Sequence, residues 1–366
     1  MRVLVVNAGS SSVKLRLLSE DDELAGRLDL GAPSTLDPDE VRSALDALVG
    51  NAGVDAVGHR VVHGGERFTA AAVVDDGVRA ELEALVDLAP LHQPAALAGI
   101  DTVRKALPEV PSVACFDTAF HATMPPEATT YAVPAEWRNS LGVRRYGFHG
   151  LSHAYVARRA PEILGRRSDE DLRLVSCHLG AGASLCAVHS GRSVETTMGF
   201  TPLEGLVMAT RSGSVDPGLP LWLEQRHGIS STEVGEALEK RSGLLGLAGT
   251  ADMREVVSRM DSGDEAALLA FVVYLHRLRL SIAAMAGALS GVDAVAFTAG
   301  VGEASPAVRE GALAGLEYLG VAVNSGLNEA ARGDANITAP GAPSSVAVVT
   351  AREDLEIAAQ VRRALG

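Results

Sequence analysis

Short apolar runs separated by Gly, Ser and Asp fill the beginning of the chain. Residues 2–6 (RVLVV), 12–18 (SVKLRLL) and 24–30 (LAGRLDL) predict three successive strands, because runs of this length with polar turns between them suit a pleated, half-buried surface. The period then lengthens, and DPDEVRSALDALV at 37–49 predicts a helix. A strand over 54–62, two helices between 75 and 107 and a strand over 112–117 are expected next. The order βββαβα implies an α/β unit on a mixed sheet.

The plan then restarts. LRLVSCHLG (172–180) reads as a strand closing in a Gly turn, and ASLCAVHSG (183–191) as the strand leading out of it, just as RVLVVNAG leads into SSSVKLRLL. Helices are expected over 218–240 and 263–291, a strand over 294–299, a helix over 304–318, a strand over 345–349 and a terminal helix over 353–365. The likeness between the two hairpins is one of architecture, not of letters. Two such halves facing one another would set their Gly-rich turns on opposite walls of one cleft. No Pro- or Ser-rich linker separates them, which implies packed halves and a hinge.

Composition narrows the functional classes. At 366 residues the chain exceeds the roughly 250–300 that one hydrophobic core sustains, so two domains are expected. With 47% hydrophobic and 21% charged residues, the whole chain should fold. A net charge of -14, with no run of Lys and Arg to oppose it, argues against nucleic acid or an anionic membrane as partner. An anionic substrate would therefore depend on a few well-placed Arg and Lys side chains. The opening MRVLVVNAGSSS is too brief for a signal peptide or a span, and LSIAAMAGALSGVDAVAF (280–297), interrupted by Asp293, reads as a buried helix running into a buried strand. Three cysteines, Cys115, Cys177 and Cys186, are odd in number and sit in apolar strand contexts, which suits a reducing, cytoplasmic compartment.

Several strand ends carry candidate chemistry. NAGSSSVK (7–14) offers a Gly, three hydroxyls and Lys14, the groups that cradle phosphate, although an ordinary Gly/Ser hairpin turn has the same letters. It is neither GxxxxGK[ST] nor GxGxxG. GHRVVHGGERF (58–68) sets Arg60 at a strand end, where its fork could grip a carboxylate or phosphate or join a surface ion pair. Asp117 in CFDTAFH follows a buried strand and suits a base, a metal ligand or a helix cap. RRYGFHGLSH (144–153) shows no regular period, and His149 between two glycines is hard to explain as core packing. CHLGAGAS (177–184) supplies a second Gly turn, TPLEGLVMATRSGSVDPG (201–218) carries Arg211 in a loop, and FTAGVGEASP (297–306) reads as strand, Gly turn and helix start.

Together with FDTAFH, MGFTPLEGL and SGLLGLAG, these segments stand in the order and spacing of the acetate kinase family, which the chain resembles from Asn7 to about Glu353. The resemblance implies two duplicated actin-like, ribonuclease H-like domains with mixed five-stranded sheets and a cleft between them. Residues 1–118 plus 354–366 would form the N-terminal domain, and 119–353 the C-terminal domain carrying nucleotide contacts. It implies transfer of the ATP γ-phosphate to acetate by direct in-line displacement. Asn7 and Glu353 would lie near Mg²⁺, with Mn²⁺ as an alternative ion. Arg60 would bind the acid, and Asp117, His149 and Arg211 would serve catalysis. Lys14, the loop His178, Leu179, Gly180, Ala181, Gly182, the segment Asp252, Met253, Arg254 and the turn Gly300, Val301, Gly302, Glu303, Ala304 would contact nucleotide and phosphate. A homodimer is expected on the same ground.

The chain also departs from the family pattern. LAPLHQPAALAG stands where HNPPN is usual, in a segment that borders the acyl site, so propionate or butyrate is the competing acceptor. Ala181 and Ala304 replace Asn, which removes side-chain hydrogen bonds worth about 0.5–1.5 kcal/mol each. The shortening relative to the family falls between Lys14 and Arg60. Competing readings are an actin-fold phosphotransferase or phosphatase acting on sugar or polyphosphate, and a non-catalytic nucleotide-binding scaffold.

Overall fold

The computed structural model describes residues 1–8, 12–31, 38–49, 53–90, 92–167 and 171–366, and these form two compact units. The first comprises Met1–Ala122, Phe148–Tyr155 and Arg352–Gly366, the second Thr123–Gly147 and Val156–Ala351. Gly9, Ser10 and Ser11 of the expected phosphate loop lie outside the described residues, as do Asp37 of the expected first helix and Leu91.

Six strands form the sheet of the first unit: β1 (Val3–Ala8), β2 (Val13–Leu18), β3 (Leu24–Leu30), β4 (Ala56–Val61), β5 (Ala72–Val73) and β6 (Ser112–Phe116), in the order β3-β2-β1-β4-β6-β5. β1, β2 and β3 are an antiparallel meander, and β4 and β6 run parallel to β1. Both faces of the central strands are covered, which is why they read as continuous apolar runs. Leu4, Val6 and Leu15 pack against Val41, Leu45 and Val103 of the helices Pro38–Val49 and Gln93–Ala106. On the opposite face Val3, Val5, Val113 and Cys115 meet Ile357 and Val361 of the terminal helix Glu353–Leu365. A Cβ at Gly58 would lie 2.5 Å from Ile357 Cγ2 and 2.7 Å from Val361 Cγ2, so a glycine in β4 lets this helix approach the sheet.

The second unit repeats the plan. Its strands are β7 (Arg173–Leu179), β8 (Ala183–His189), β9 (Arg192–Thr196), β10 (Ala294–Thr298), β11 (Ala335–Asn336) and β12 (Ser345–Val348), ordered β11-β12-β10-β7-β8-β9. Again an antiparallel meander is followed by two strands parallel to its first member. The expected five-stranded sheet is present in each unit, extended by a two-residue edge strand (β5, β11) antiparallel to its neighbour. Two residues are too few for periodicity to reveal, so the count rises from five to six.

Other differences have local causes. The helix expected over 218–240 is two helices, Gly218–His227 and Ser231–Lys240, because Gly228 adopts φ 65° and Ser230 with Glu233 forms a capping box. The expected Gly turn after β10 is itself a short helix, Ala299–Ala304, and Ser305 then caps a second helix, Pro306–Leu313. The segment expected to lack a period enters a helix at Gly150, which runs to Ile163. The helix Glu265–Ala288 is long and apolar enough to cross a membrane by length and composition. It buries Ala270, Phe271, Tyr274, Leu278, Ile282 and Met285 and packs on β7, β8 and β9, as a core helix does, while Leu268, Leu269, Val272 and Leu280 stay exposed.

Candidate active site

Side-chain alternation places the first group of residues. Val3 and Val5 on β1, Ala56 on β4 and Val113 and Cys115 on β6 all face the terminal helix. Two residues further along each strand come Asn7, Arg60 (beyond Gly58) and Asp117, so the same face carries an amide, a guanidinium and a carboxylate at the carboxyl ends of three parallel strands. Ligands of open α/β sheets bind at such ends. Glu353, the first residue of the terminal helix, completes the group.

Arg60 is the hub. Its Nε donates to Asp117 Oδ2 at 3.2 Å and Oδ1 at 3.3 Å, its Nη2 donates to Oδ2 at 2.7 Å, and Nη1 stands 3.7 Å from Glu353 Oε2. Asp117 is 2% exposed, whereas Arg60 and Glu353 keep 22% and 20% of their side-chain surface. Burial raises the Asp117 carboxyl above the usual range, Arg60 pulls it back and the charge of Glu353 pushes it up again. For Arg60, burial works against the cation, but Asp117 and Glu353 outweigh it and hold the guanidinium protonated. Lys14 lies opposite Asn7 in the β1–β2 pairing and is exposed.

His149 belongs to the same unit. Its φ of 57° is left-handed, a conformation that costs a non-glycine residue about 1–2 kcal/mol and needs fixed surroundings. Those are supplied on both sides: Phe148 O meets His121 Nε2 at 2.9 Å, and Gly150 N–H donates to Asp117 O at 2.9 Å. The backbone bearing His149 is thus tied to the residue that holds Arg60.

In the second unit, Gly180, Ala181 and Gly182 make the turn between β7 and β8, closed by Gly180 N–H donating to Gly182 O at 3.0 Å. Leu179 is buried, His178 is 8% exposed and Ala181 is exposed. The residues Gly300, Val301, Gly302, Glu303 and Ala304 form the short helix after β10, and Glu303 Oε1 accepts from Ala351 N–H at 2.9 Å. Asp252 caps the helix Met253–Asp261, accepting from Arg254 N–H at 2.9 Å, and pairs with the exposed Arg254 side chain at 2.6 Å, while Met253 is buried. Arg211 is half-buried; burial lowers its pKa and the charge of Glu239 opposes the shift. Its Nη1 lies 3.4 Å from Pro202 O and 4.0 Å from Met208 Sδ.

Sequence reasoning missed a half-buried cluster beside that loop. Tyr131, Arg145 and Glu204 are joined by hydrogen bonds, Tyr131 to Glu204 and Arg145 Nη2 to Glu204 Oε1 at 2.9 Å. Glu204 sits in the quoted MGFTPLEGL segment, but no spacing links it to Tyr131, 73 positions earlier. The altered segment after Leu91 opens the helix Gln93–Ala106. Gln93 is fully buried there, its amide nitrogen donating to His63 O at 3.2 Å and Leu82 O at 3.4 Å.

No group of three or more His, Cys, Asp or Glu side chains among the described residues could hold a metal ion by itself. Asn7 and Glu353 nevertheless carry oxygen donors, the ligand type a hard cation takes.

A family model described as the acetokinase family matches residues 40–359. The acetate kinase of Streptomyces griseus is 47% identical over 400 residues, covering 100% of this chain and 96% of that protein. Among solved structures, Porphyromonas gingivalis acetate kinase superposes with a TM-score of 0.93 at 37% identity, covering 100% of both chains. A propionate kinase from Francisella tularensis gives 0.91 at 34% identity, covering 99% of each chain.

Proposed function

The chain belongs to the acetokinase family, and on that premise we propose that it transfers the γ-phosphate of ATP reversibly to the carboxylate of acetate, giving acetyl phosphate and ADP. The observation that carries the chemistry is the fixed Arg60: a guanidinium held on one side by Asp117 and leaning towards Glu353 on the other is preorganised to receive a small anion.

An acid of this class is already ionised at neutral pH, so no general base is required. Positioning and neutralisation of charge supply the acceleration. Arg60 is assigned to the acceptor carboxylate, Arg211 and His149 to the charge that builds on the transferring phosphoryl group, and Asp117 to orienting Arg60. Asn7 and Glu353 would hold Mg²⁺, or Mn²⁺ in its place, and a bound ion would neutralise phosphate oxygens. Lys14, the turn 178–182, the segment 252–254 and the helix residues 300–304 are assigned to nucleotide and phosphate. The enzyme is further read as cytoplasmic, in keeping with three buried cysteines that form no disulfide, and as a homodimer, for which the exposed leucines of Glu265–Ala288 offer an apolar face.

Trapping acyl phosphate as hydroxamate, with ATP, Mg²⁺ and acids of increasing length, tests the reading. Acetate should give the highest kcat/KM, with propionate the acid to compare because of the Francisella tularensis likeness. No acyl phosphate from any acid would sink it.

A further inference from the structure

Arg211 touches a loop that a phenol far away in sequence bridges. Pro202, whose carbonyl meets Arg211 Nη1 at 3.4 Å, lies at the middle of residues 198–205. Tyr131 joins the two arms of that loop. Its hydroxyl accepts from Phe200 N–H at 3.0 Å and donates to the Glu204 carboxylate, and a hydroxyl has one proton to give, so both arms are engaged at once. Arg145 secures the assembly: Nη2 donates to Glu204 Oε1 at 2.9 Å, Nη1 donates to Met198 O at 3.0 Å, and the guanidinium stands 5.4 Å from the centre of the Tyr131 ring. Gly199 makes room for it, since a Cβ there would fall 1.7 Å from Glu204 Oε2 and 2.1 Å from Tyr131 Oη.

We propose that Tyr131, braced by Glu204 and Arg145, is a positioning residue for Arg211 in the phosphoryl-transfer step. The proposal rests on the reading of Arg211 given above. Nothing in the cluster needs to touch substrate; it fixes residues 200–204, and with them the carbonyl against which Arg211 is set. A misplacement of about 1 Å at a group that stabilises a transition state is enough to lower turnover on the order of 100-fold.

The test is a double-mutant cycle on the intact enzyme with ATP, Mg²⁺ and acetate. Tyr131→Phe keeps the ring over Arg145 and removes only the hydroxyl. It should lower kcat by about 10- to 100-fold while the KM for ATP stays within about twofold, and it should have almost no further effect in an Arg211→Ala background, because residues acting as a unit are non-additive. A kcat within about twofold of the parent, or the same fold loss with and without Arg211, would overturn the proposal. Should Tyr131→Phe not fold, Glu204→Gln, which keeps an acceptor for the phenol but removes the charge facing Arg145, goes through the same cycle with the same two outcomes. If Arg211→Ala alone leaves turnover unchanged, it is the assignment of Arg211 that fails. Additive losses on top of a crippled Arg211→Ala enzyme refute Tyr131 alone.

Discussion

Replacing Asp117 by Asn probes the best-defined contact in the first unit. The substitution is nearly isosteric and leaves a hydrogen-bond acceptor, but it removes the charge that faces Arg60 across three N–O contacts of 2.7 to 3.3 Å. At an effective dielectric of about 20, unit charges about 4 Å apart attract by about 4 kcal/mol, and removing one member of a buried pair typically costs about 3–5 kcal/mol. Two features move the expectation to the low end, about 3 kcal/mol. Glu353 remains 3.7 Å from the guanidinium, and Arg60 keeps 22% of its side-chain surface in solvent. With a urea slope of about 3 kcal/mol/M, the unfolding midpoint should fall by about 1 M. Arg60→Gln alone should also destabilise, since it strands a buried carboxylate. The double variant should lose less than the two single losses together, by about 2 kcal/mol, because no unpaired charge is left behind. Additivity within about 0.5 kcal/mol would refute the coupling. In the same proteins the kcat/KM for acetate should fall about 100-fold in Asp117→Asn with the KM for ATP unchanged, since a guanidinium freed from its carboxylate no longer presents a fixed fork. A stability loss without that rate loss would confine Asp117 to a structural role.

Further expectations follow from individual sites. Gly199→Ala places a methyl group inside the Tyr131–Glu204 contact and should cost about 1–3 kcal/mol and depress turnover, measured by urea unfolding and the hydroxamate assay; a fully active, equally stable variant would contradict the close approach. Burial lowers the pKa of His59 to about 3 and that of His63 to about 4, so the unfolded chain takes up these protons first as pH drops. The stability they contribute is intact above the ordinary value of 6.5 and lost as pH falls towards 4 and 3, at about 1.4 kcal/mol per pH unit for each histidine. Unfolding midpoints between about pH 7 and 5 should slope accordingly, and a slope unaffected by His59→Gln would be inconsistent with this origin. Cys115, Cys177 and Cys186 are fully buried with thiols pushed upward by desolvation, so a thiol reagent should label none of them before unfolding; rapid native labelling would show that the strands open.

Much of this arrangement was legible because strands have a fixed period. The runs RVLVV, AVGHRV and SVACF announced β1, β4 and β6, and the period of two then determines that Asn7, Arg60 and Asp117 share a face. The restart at LRLVSCHLG announced the second sheet for the same reason. What escaped was either too short or too distant. β5 and β11 span two residues each, and β9, RSVET, has too few apolar positions to register as a strand. The helix Ala299–Ala304 was hidden by its glycines, which read as a turn, although a Cβ at Gly302 would meet only ordinary contacts, the Phe297 carbonyl carbon at 3.5 Å among them. The Tyr131 cluster depends on residues up to 73 positions apart in irregular segments, where no periodicity operates.

The two sheets share one topology yet end in different chemistry, and that contrast is itself informative. In the first unit the parallel strands terminate in charged groups, Arg60 and Asp117, bound to each other. In the second, β7 gives way to Gly180, Ala181 and Gly182, and β10 to Ala299, Gly300 and Gly302, with Ala299 at φ 65°. Forked side chains suit a small anion, which has few atoms and must be gripped by each of them. Small residues leave the main chain accessible, which suits an extended phosphate chain approached by backbone N–H groups. Duplication of a fold thus does not duplicate its site: side-chain identity at a few strand ends decides whether the shared frame presents charge or bare backbone. Exchanging the two kinds of end, for instance by placing a long side chain at Ala181, should therefore weaken nucleotide binding and leave acetate binding intact, a separation that paired KM measurements would read directly.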